Sequence, residues 1–545
     1  MKSCSIVKTQ VGLVASEKTK KIFPLLRAVA EANGLKLVWW NDCSPVSLAG
    51  ILLVRSPGCC DQLPQLLPNL PSFRIELIEP AGSPGLVALT SAPTLSPLLH
   101  ARKFSTADAA PAARELLTGE VLAEVNGHPV WTTRLEGGVR HDINIQVEPW
   151  IAEENRLFEH LNGQHLMRLL PIIEWFRSIS DWEQWRKPPT RACFMFDDPN
   201  LHAERYGFIS FRHLAEEGLR YRYHTSFATV PLDQYYVNKS AARLFRENPS
   251  QLSLLVHGID HDHRELGGKK SSAQQLVGLH RAVKWIETLE RRAGVKVGRI
   301  MAPPHGAFAG RSLRECAVVG FEAACVSWGS VWSSNPSEEW ARYLGAEPIT
   351  IVEGLPVIPR FRMTRQTENQ ILLTAYLNQP IIPVGHQWDL ADGMELLSTL
   401  AGLINQLGDV RWQNMERIAR SNFWWRKEGD ILFVRPFSRR FVLHVPHGTR
   451  FVKIIDPCLI SGKVSATESA ISGGEATLCK NQDEGTWTLP VEGASVLTIN
   501  MELEGSDGTE TIRPQLFPLK ALVRRVLVES RDRVMPILPR RWQRR

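Results

Sequence analysis

The sequence predicts a multidomain α/β protein with a β-rich domain near its carboxyl end, and three observations lead to this fold class. The chain of 545 residues is longer than one ordinary domain, so we expect two or three domains. Short apolar runs alternate with helix-like segments up to about residue 428, as is typical of layered α/β domains. After Gly429 the pattern changes to strand-like runs separated by turns.

These changes of pattern predict the domain boundaries. We expect a small α/β layered domain of flavodoxin-like type, a helical linker, a second α/β domain, a β-sandwich-like domain and a basic amphipathic tail. In chain order these segments are residues 1–145, 146–189, 190–428, 429–512 and 513–545.

Individual elements follow from short stretches of sequence. VGLVA, LKLVWW, GILLV and GLVAL predict strands, and IFPLLRAVAEANG predicts a helix that ends at its Asn-Gly pair. In the linker, EENRLFEHLNGQHLMRLLPIIEWFRSISDWEQW predicts two helices, broken near Asn162-Gly163 and near Pro171. After Gly429, DILFVRP, RFVLHVPHG, FVKIID, GTWTLP and ASVLTIN predict the strands of a small sandwich.

Composition favours a soluble protein of a reducing compartment. Hydrophobic residues make up 43% and charged residues 22% of the chain, as in globular proteins with sizeable cores. No apolar run approaches the roughly 20 residues that cross a bilayer, and the first residues lack a secretory signal's apolar core. The nine cysteines are odd in number and form no CxxC pair. We therefore expect a cytoplasmic location, and no recognisable module suggests a specific nucleic acid partner.

The last segment concentrates positive charge. Residues 513–545 hold ten Lys and Arg against two acids, while the whole chain carries only +7. Lys520, Arg524 and Arg525 stand among apolar residues at helical spacing. These apolar residues are Leu519, Leu522, Val523, Val526 and Leu527. Two interpretations stay open: peripheral contact with an anionic membrane or a polyanion, or a helix packed on its own domain, the commoner arrangement for amphipathic helices.

The stretch FMFDDPNLH places two adjacent carboxylates, Asp197 and Asp198, directly after an apolar strand. Aspartate is depleted inside strands, and neighbouring like charges repel each other. We therefore expect the pair at a strand end, where it faces water, a cation or a proton.

A second polar group follows about sixty residues later, in QLSLLVHGIDHDHREL. The strand-like run LSLLV leads into His257, and His261 and His263 come shortly after it. Two histidines four residues apart can converge on one divalent ion, for which neutral imidazole and carboxylate are suitable ligands. One Asp with two His would leave an open position for water, which a hydrolytic metal site needs.

Taken together, the motifs FDDPN, HGIDH, MAPPHG, GFEAACVSW and IIPVGHQWD resemble, in order and spacing, those of the polysaccharide deacetylases. These are the NodB-homology group of metal-dependent carbohydrate esterases, and the resemblance covers about residues 190–428. It implies a distorted (β/α) barrel of about seven strands, with the site at the carboxyl ends of the strands. It also implies a divalent metal, with zinc as the expected ion, and an acetylated sugar or polysaccharide as substrate.

The resemblance also implies roles for individual residues. Asp198, His257 and His261 match the metal ligands. His263 competes with His261 for the second histidine position, and we prefer His261 because it lies four residues after His257. Asp197 matches the catalytic base and His386 the general acid. His305 lies in the turn expected to hold the oxyanion. Trp328 and Trp388 lie near the motif loops, and two interpretations stay open for them: stacking on sugar rings, or packing in the core and at its rim, the commoner role of tryptophan.

One departure bears on the catalytic base. The family's third motif begins with an arginine that orients the base, and this chain has Ala302 there. Arg299 could substitute for that arginine, or His305 could act in place of the tyrosine that usually follows it.

The function expected from these residues is hydrolysis of an N-acetyl group on an amino sugar or polysaccharide precursor, with metal-activated water as nucleophile. The first alternative is a catalytically inactive glycan-binding or scaffolding protein on the same fold. A glycoside hydrolase is the second, but its carboxylates must flank the sugar at a separation of about 5 to 9 Å. Two neighbouring residues such as Asp197 and Asp198 hardly provide such a separation. The sequence predicts no oligomeric state.

Overall fold

The computed structural model of the protein describes residues 9–15, 22–40, 48–55, 69–77, 84–109, 119–147, 156–455, 464–468, 475–477, 479–481, 486–491, 496–501 and 518–537. The chain divides into two compact units. The first comprises Met1–Arg186, Glu339–Glu347 and Glu368–Leu377, and the second comprises Lys187–Glu338, Pro348–Thr367 and Asn378–Arg545. The five segments predicted above stay a prediction.

The helices of the described ranges are, in chain order, α1 (Phe23–Ala32), α2 (Leu157–His160), α3 (Leu166–Ile179), α4 (Phe211–Tyr221), α5 (Lys239–Glu247), α6 (Ser272–Ala293), α7 (Gly310–Val319), α8 (Trp328–Ser334), α9 (Glu368–Tyr376), α10 (Glu395–Asn405), α11 (Met415–Arg420) and α12 (Leu519–Val534). None of these helices is long and apolar enough to cross a bilayer.

The first unit is built on one mixed sheet in the order β2-β1-β3-β4-β9-β8-β7-β5-β6. Its strands are β1 (Thr9–Ala15), β2 (Leu35–Trp39), β3 (Leu48–Arg55), β4 (Ser72–Leu77), β5 (Pro84–Leu89), β6 (Lys103–Ala109), β7 (Glu120–Val125), β8 (His128–Glu136) and β9 (Val139–Val147). The pairs from β2 to β9 are parallel, and those from β9 to β6 are antiparallel. The predicted strands VGLVA, LKLVWW, GILLV and GLVAL are confirmed, whereas the antiparallel half was not predicted.

The helical predictions for this unit are confirmed in one case and corrected in another. Helix α1 ends at Ala32 with Asn33 as its cap, and Gly34 follows at φ +80°, so the predicted stop at the Asn-Gly pair is confirmed. The predicted break near Pro171 is wrong, because α3 continues through this residue. An interior proline removes one helical hydrogen bond. The apolar neighbours Leu170, Ile172 and Ile173 are buried in the core of the unit, and this burial offsets the loss.

The second unit contains the predicted alternation of strands and helices. Its main sheet runs β18-β19-β17-β16-β15-β14-β11-β21-β20, and every pair is parallel except β18 with β19. The strands from residue 190 to 412 are β10 (Thr190–Ala192), β11 (Phe194–Asp197), β12 (Arg205–Tyr206), β13 (Ile209–Ser210), β14 (Thr225–Thr229), β15 (Leu252–His257), β16 (Val297–Ala302), β17 (Ala323–Val326), β18 (Thr350–Val352), β19 (Leu355–Pro359), β20 (Phe361–Arg362), β21 (Pro383–Gly385) and β22 (Val410–Trp412). Among the described strands, no hydrogen-bonded pair joins the two end strands β18 and β20, so closure of the sheet into a barrel stays a prediction.

Two further sheets follow after α11 and share one apolar core. They have the orders β23-β24-β26-β30-β29 and β25-β31-β27-β28. Their strands are β23 (Phe423–Glu428), β24 (Ile431–Pro436), β25 (Arg440–His444), β26 (Phe451–Ile455), β27 (Val464–Glu468), β28 (Glu475–Thr477), β29 (Cys479–Asn481), β30 (Thr486–Pro490) and β31 (Val496–Met501). Val434 and Trp487 of one sheet and Phe441 and Ile499 of the other are buried in the common core. The five strand predictions after Gly429 are confirmed.

Helix α12 lies in the predicted basic tail and packs on the second unit through its charged face. Arg525, Glu529 and Asp532 are buried, whereas Leu519 and Leu527 are exposed. Buried charges must be paired, and the second unit supplies the partners: Asp233 for Arg525 and His202 for Glu529. The helix therefore packs on its own unit, as one of the two interpretations expects, but through the face opposite to its apolar residues.

Candidate metal centre and active site

The predicted site residues come from the carboxyl ends of neighbouring parallel strands. Asp197 is the last residue of β11 and His257 the last of β15, while His386 directly follows β21. The carboxyl ends of parallel strands meet at one edge of a sheet, where α/β proteins commonly bind their ligands. A cavity of about 650 Å³ lies there. Its walls include the predicted residues Asp197, Asp198, His257, His261, His263, His305 and His386.

Asp198, His257 and His261 converge closely enough to hold one metal ion. The Nε2 atoms of His261 and His257 lie 3.3 Å and 3.7 Å from Oδ1 of Asp198. Two ligand atoms of a tetrahedral zinc, each about 2.1 Å from the ion, lie roughly 3.4 Å apart. Among the described residues these three form the group of His, Cys, Asp and Glu that could bind a metal. His263 lies outside this group, although it lines the cavity.

Hydrogen bonding around the three residues also suits a cation. Nδ1 of His257 lies 3.0 Å from the carbonyl oxygen of Ala302, so this nitrogen donates and Nε2 is available as a ligand. Oδ1 of Asp198 is buried and has no hydrogen-bond partner. Buried carboxylate oxygens are normally satisfied, and a cation would satisfy this one. The residues present therefore fit a divalent ion.

The backbone is strained where it aims these ligands. Asp198 has φ +83° and His261 has φ +59°, in the left-handed region that residues other than glycine seldom adopt. Such strain is typical of functional sites. Gly258, next to His257, has φ +63°, and a Cβ atom there would lie 2.1 Å from Oε1 of Glu265. Glycine is thus required at this position by both conformation and space.

Glu265, which sequence reasoning missed, holds the loop that carries His261. Its buried carboxylate accepts hydrogen bonds from the backbone N–H groups of Ile259, Asp260 and His261, at 2.7, 3.3 and 3.1 Å. Burial, together with the charge of Asp260, raises the pKa of Glu265 to about 7. In the sequence, Glu265 is marked only by its position four residues after His261. Acidic residues near turns are too common for this spacing to identify Glu265 as part of the site.

Asp197 is paired with a second residue that the sequence did not reveal. Nη1 of Arg360 lies 3.0 Å from Oδ1 of Asp197, and both side chains are buried. Arg360 comes directly after β19, far from Asp197 in the sequence. Arg299, considered above as a substitute for the family's arginine, instead pairs with Glu290 at 2.9 Å. The cationic partner of Asp197 that Ala302 cannot provide is therefore supplied by Arg360, at the end of another strand.

The surrounding charges set the protonation states of the site. Burial acts to raise the pKa of Asp197, but the charges of Arg360, His257 and His386 together outweigh it, and the pKa is lowered. Burial lowers the pKa of His257. Burial and the nearby charge of His257 lower the pKa of His261 to about 4. An ionised carboxylate and neutral imidazoles are the forms required of a base and of metal ligands.

The remaining predicted residues differ in their relation to the cavity. His305 lines it at φ +53°, with its ring centroid 5.3 Å from that of His261. His386 lines it with an exposed side chain. Trp328 is buried at the start of α8, and Trp388 packs against Phe208. Neither tryptophan is among the residues that line the cavity, so their role in sugar binding stays a prediction.

Helix α12 contributes arginines to the cavity. Arg524, Arg525 and Arg531 line it from this helix. Arg525 is 1% exposed and holds Asp233 with Nε and Nη2, at 3.1 and 2.6 Å. Its Nη1 lies 3.8 Å from Oδ1 of Asp198 and has no hydrogen-bond partner. The sequence indicated a basic helix here but not its place at the site.

Comparison with known proteins finds no sequence match but several structural ones. Neither a family profile nor a curated protein matches the chain. A protein of Mycobacterium smegmatis assigned as a polysaccharide deacetylase aligns at 15% identity and a TM-score of 0.31, covering 42% of this chain and 89% of that one. The CE4 domain of a multidomain xylanase from the hindgut metagenome of Trinervitermes trinervoides aligns at 12% identity and a TM-score of 0.25, covering 42% and 90%.

A third match is a mutant of a CE4 family pseudoenzyme with restored activity. It aligns at 13% identity and a TM-score of 0.27, covering 43% of this chain and 68% of that one. None of these three matches exceeds 15% identity or a TM-score of 0.31.

Proposed function

We propose that the protein is a metal-dependent hydrolase that removes an acyl group, typically acetyl, from the nitrogen of an amino sugar or of a polysaccharide precursor. The observation that carries the proposal is the convergence of Asp198, His257 and His261 beside the buried Asp197, within one cavity. Neighbouring charge keeps Asp197 ionised, as a base requires.

Asp198, His257 and His261 would hold the divalent cation, with zinc as the expected ion. A bound cation of this kind polarises the substrate carbonyl and lowers the pKa of water towards neutrality. The carbonyl of Ala302 fixes the ring of His257 through Nδ1, and Glu265 fixes the loop of His261. Preorganised ligands of this type raise metal affinity, since little ordering remains to be done on binding.

Asp197 takes the proton from the attacking water in this mechanism. Arg360 is its positioning residue, because the 3.0 Å ion pair fixes the carboxylate and keeps it ionised. The carbonyl carbon gains the water oxygen and becomes tetrahedral, and the turn at His305 is assigned to the developing oxyanion. The roles of both residues follow from the resemblance as well as from their place in the cavity.

His386 protonates the leaving nitrogen. An amide nitrogen is a poor leaving group until it gains a proton, and a protonated imidazole ring is suited to supply one near neutral pH. The C–N bond then breaks, the sugar leaves as a free amine, and the acyl group leaves as a carboxylate. The exposed position of His386 at the cavity wall allows its proton to be replaced from solvent.

The test is acetate release from acetylated amino-sugar oligomers by zinc-loaded protein. We expect release by the wild type and a loss of at least about 100-fold in Asp197→Asn, as for removal of a general base. Asp409→Asn is the matched control, since Asp409 is exposed and lies outside the cavity. Bound zinc and bound sugar without any acetate release would contradict the proposal and favour the inactive glycan-binding alternative.

A further inference from the structure

Helix α12 carries an unusual share of the exposed apolar surface. Its exposed large apolar residues, here called the α12 stripe, are Leu519, Val523, Val526, Leu527 and Val534, at 70, 58, 43, 66 and 49% exposure. The other exposed large apolar residues of the described chain are scattered singly over separate elements, Leu219 of α4 among them. Single exposed apolar residues are ordinary, whereas a contiguous exposed stripe indicates a contact surface.

The α12 stripe lies on one side of the helix. At about 100° per residue, its five members fall within roughly 100° of arc. The buried residues Arg525, Glu529 and Asp532 lie on the opposite side. An ordinary amphipathic helix buries its apolar face, whereas α12 buries its charged face and exposes its apolar one.

The contacts of α12 with the second unit explain why the stripe is free. Arg525 pairs with Asp233, and Glu529 lies 2.8 Å from Nδ1 of His202. The Tyr206 hydroxyl donates to Asp532 at 2.9 Å. These charged and polar contacts anchor the helix, and none of them uses the stripe.

Charge indicates what covers the stripe. Lys520 and Arg531 are exposed beside it, and LPRRWQRR follows at residues 538–545. A second copy of the chain would bring these like charges together, which is unfavourable. A nucleic acid would use the basic residues but would have no use for an apolar stripe. An anionic bilayer satisfies both, because apolar side chains enter its boundary and basic groups meet its headgroups.

We propose that α12 docks on an anionic lipid bilayer through the α12 stripe, with its flanking basic residues on the headgroups. Arg524 and Arg531 lie between the stripe and the buried face, and both line the cavity. A docked bilayer therefore lies next to the candidate active site. The docking itself does not depend on the proposed hydrolase activity.

The test is cosedimentation of the full chain with phosphatidylcholine vesicles that contain or lack phosphatidylglycerol. We expect binding to the anionic vesicles and a fall of about 100-fold or more in the triple variant Leu519→Ser, Val523→Ser, Leu527→Ser, since three apolar side chains that would enter the bilayer are lost. Leu219→Ser is the matched control, because this leucine is 73% exposed on α4 and should leave binding unchanged. Lys520→Glu should weaken binding only to the anionic vesicles.

Three results would overturn the proposal. The wild type could fail to bind either vesicle, or the triple variant could bind as the wild type does, which would assign the contact to the basic residues alone. A wild-type dimer that becomes a monomer in the triple variant, measured by sedimentation, would show that a second copy covers the stripe. Unchanged circular dichroism and zinc content in the triple variant would show that a loss of binding is not a loss of folding.

Discussion

Replacing Arg360 by glutamine should destabilise the protein far more than the same change at Arg299. Arg360 and Asp197 form an ion pair whose side chains are 8% and 6% exposed. Removing one partner of a buried pair leaves an uncompensated charge, at a cost of about 3 to 5 kcal/mol in the free energy of unfolding. Arg299 and Glu290 are 25% and 23% exposed, and a solvated pair of this kind contributes about 1 kcal/mol or less.

Urea denaturation of the two variants measures this difference directly. A loss of about 3 kcal/mol shifts the midpoint by roughly 1 M at an m-value of about 3 kcal/mol/M, and by less at the higher m-values of larger proteins. Zinc-loaded Arg360→Gln should also lose acetate release, because Asp197 is no longer positioned, while Arg299→Gln should retain it. Equal midpoints and equal activity in both variants would refute the assignment of Arg360 as the partner of the catalytic base.

Three further predictions concern the loop of His261 and the attachment of α12. Glu265→Ala removes the acceptor of three backbone N–H groups and should weaken zinc affinity by about 10- to 100-fold, measured by titration calorimetry. Gly258→Ala should destabilise by about 1 to 3 kcal/mol in thermal unfolding, since φ is +63° and the new Cβ meets Glu265. Burial acts to lower the pKa of His202, but the hydrogen bond to Glu529 and the charges of Asp233 and Glu529 together raise it more; the same contact with His202 lowers the pKa of Glu529 to about 2. Because the pKa of His202 is raised, its contribution to the attachment of α12 is complete below pH about 6.5 and is lost as the pH rises through the pKa of the folded state. The contribution of Glu529, whose pKa is lowered, is lost only as the pH falls from about 4.5 towards 2. Urea midpoints should therefore fall above neutral pH in the wild type, and His202→Gln should flatten this dependence.

The sequence predicted the strand ends that bear the candidate ligands, because parallel strands bring their carboxyl ends to one edge. Asp198 and His257 each come at the end of an apolar run, so their proximity could be inferred from pattern alone. The four-residue spacing singled out His261, and the structure brings this residue, rather than His263, to Asp198. Their roles as metal ligands stay a prediction until an ion is measured.

Other features depend on tertiary contacts that no local pattern encodes. Arg360 reaches Asp197 because it leads from β19 directly into β20, and β21 pairs with both β20 and β11, although many residues separate Arg360 from Asp197 in the sequence. Helix α12 buries its charged face because Asp233 pairs with Arg525 and His202 pairs with Glu529. The sequence of the tail does not reveal these partners, since both lie about 300 residues away in the chain. Pro171 stays inside α3 because burial of its neighbours outweighs a missing hydrogen bond.

The zinc content of the purified protein tests the central claim most directly, measured by elemental analysis for the wild type, His261→Ala and His263→Ala. The two variants remove the same group from neighbouring positions of one loop, so they control for each other. The geometry of the site predicts about one ion per chain in the wild type and in His263→Ala, and its loss in His261→Ala. A wild type that takes up no zinc, cobalt or nickel, or equal zinc content in both variants, would contradict the proposed metal centre.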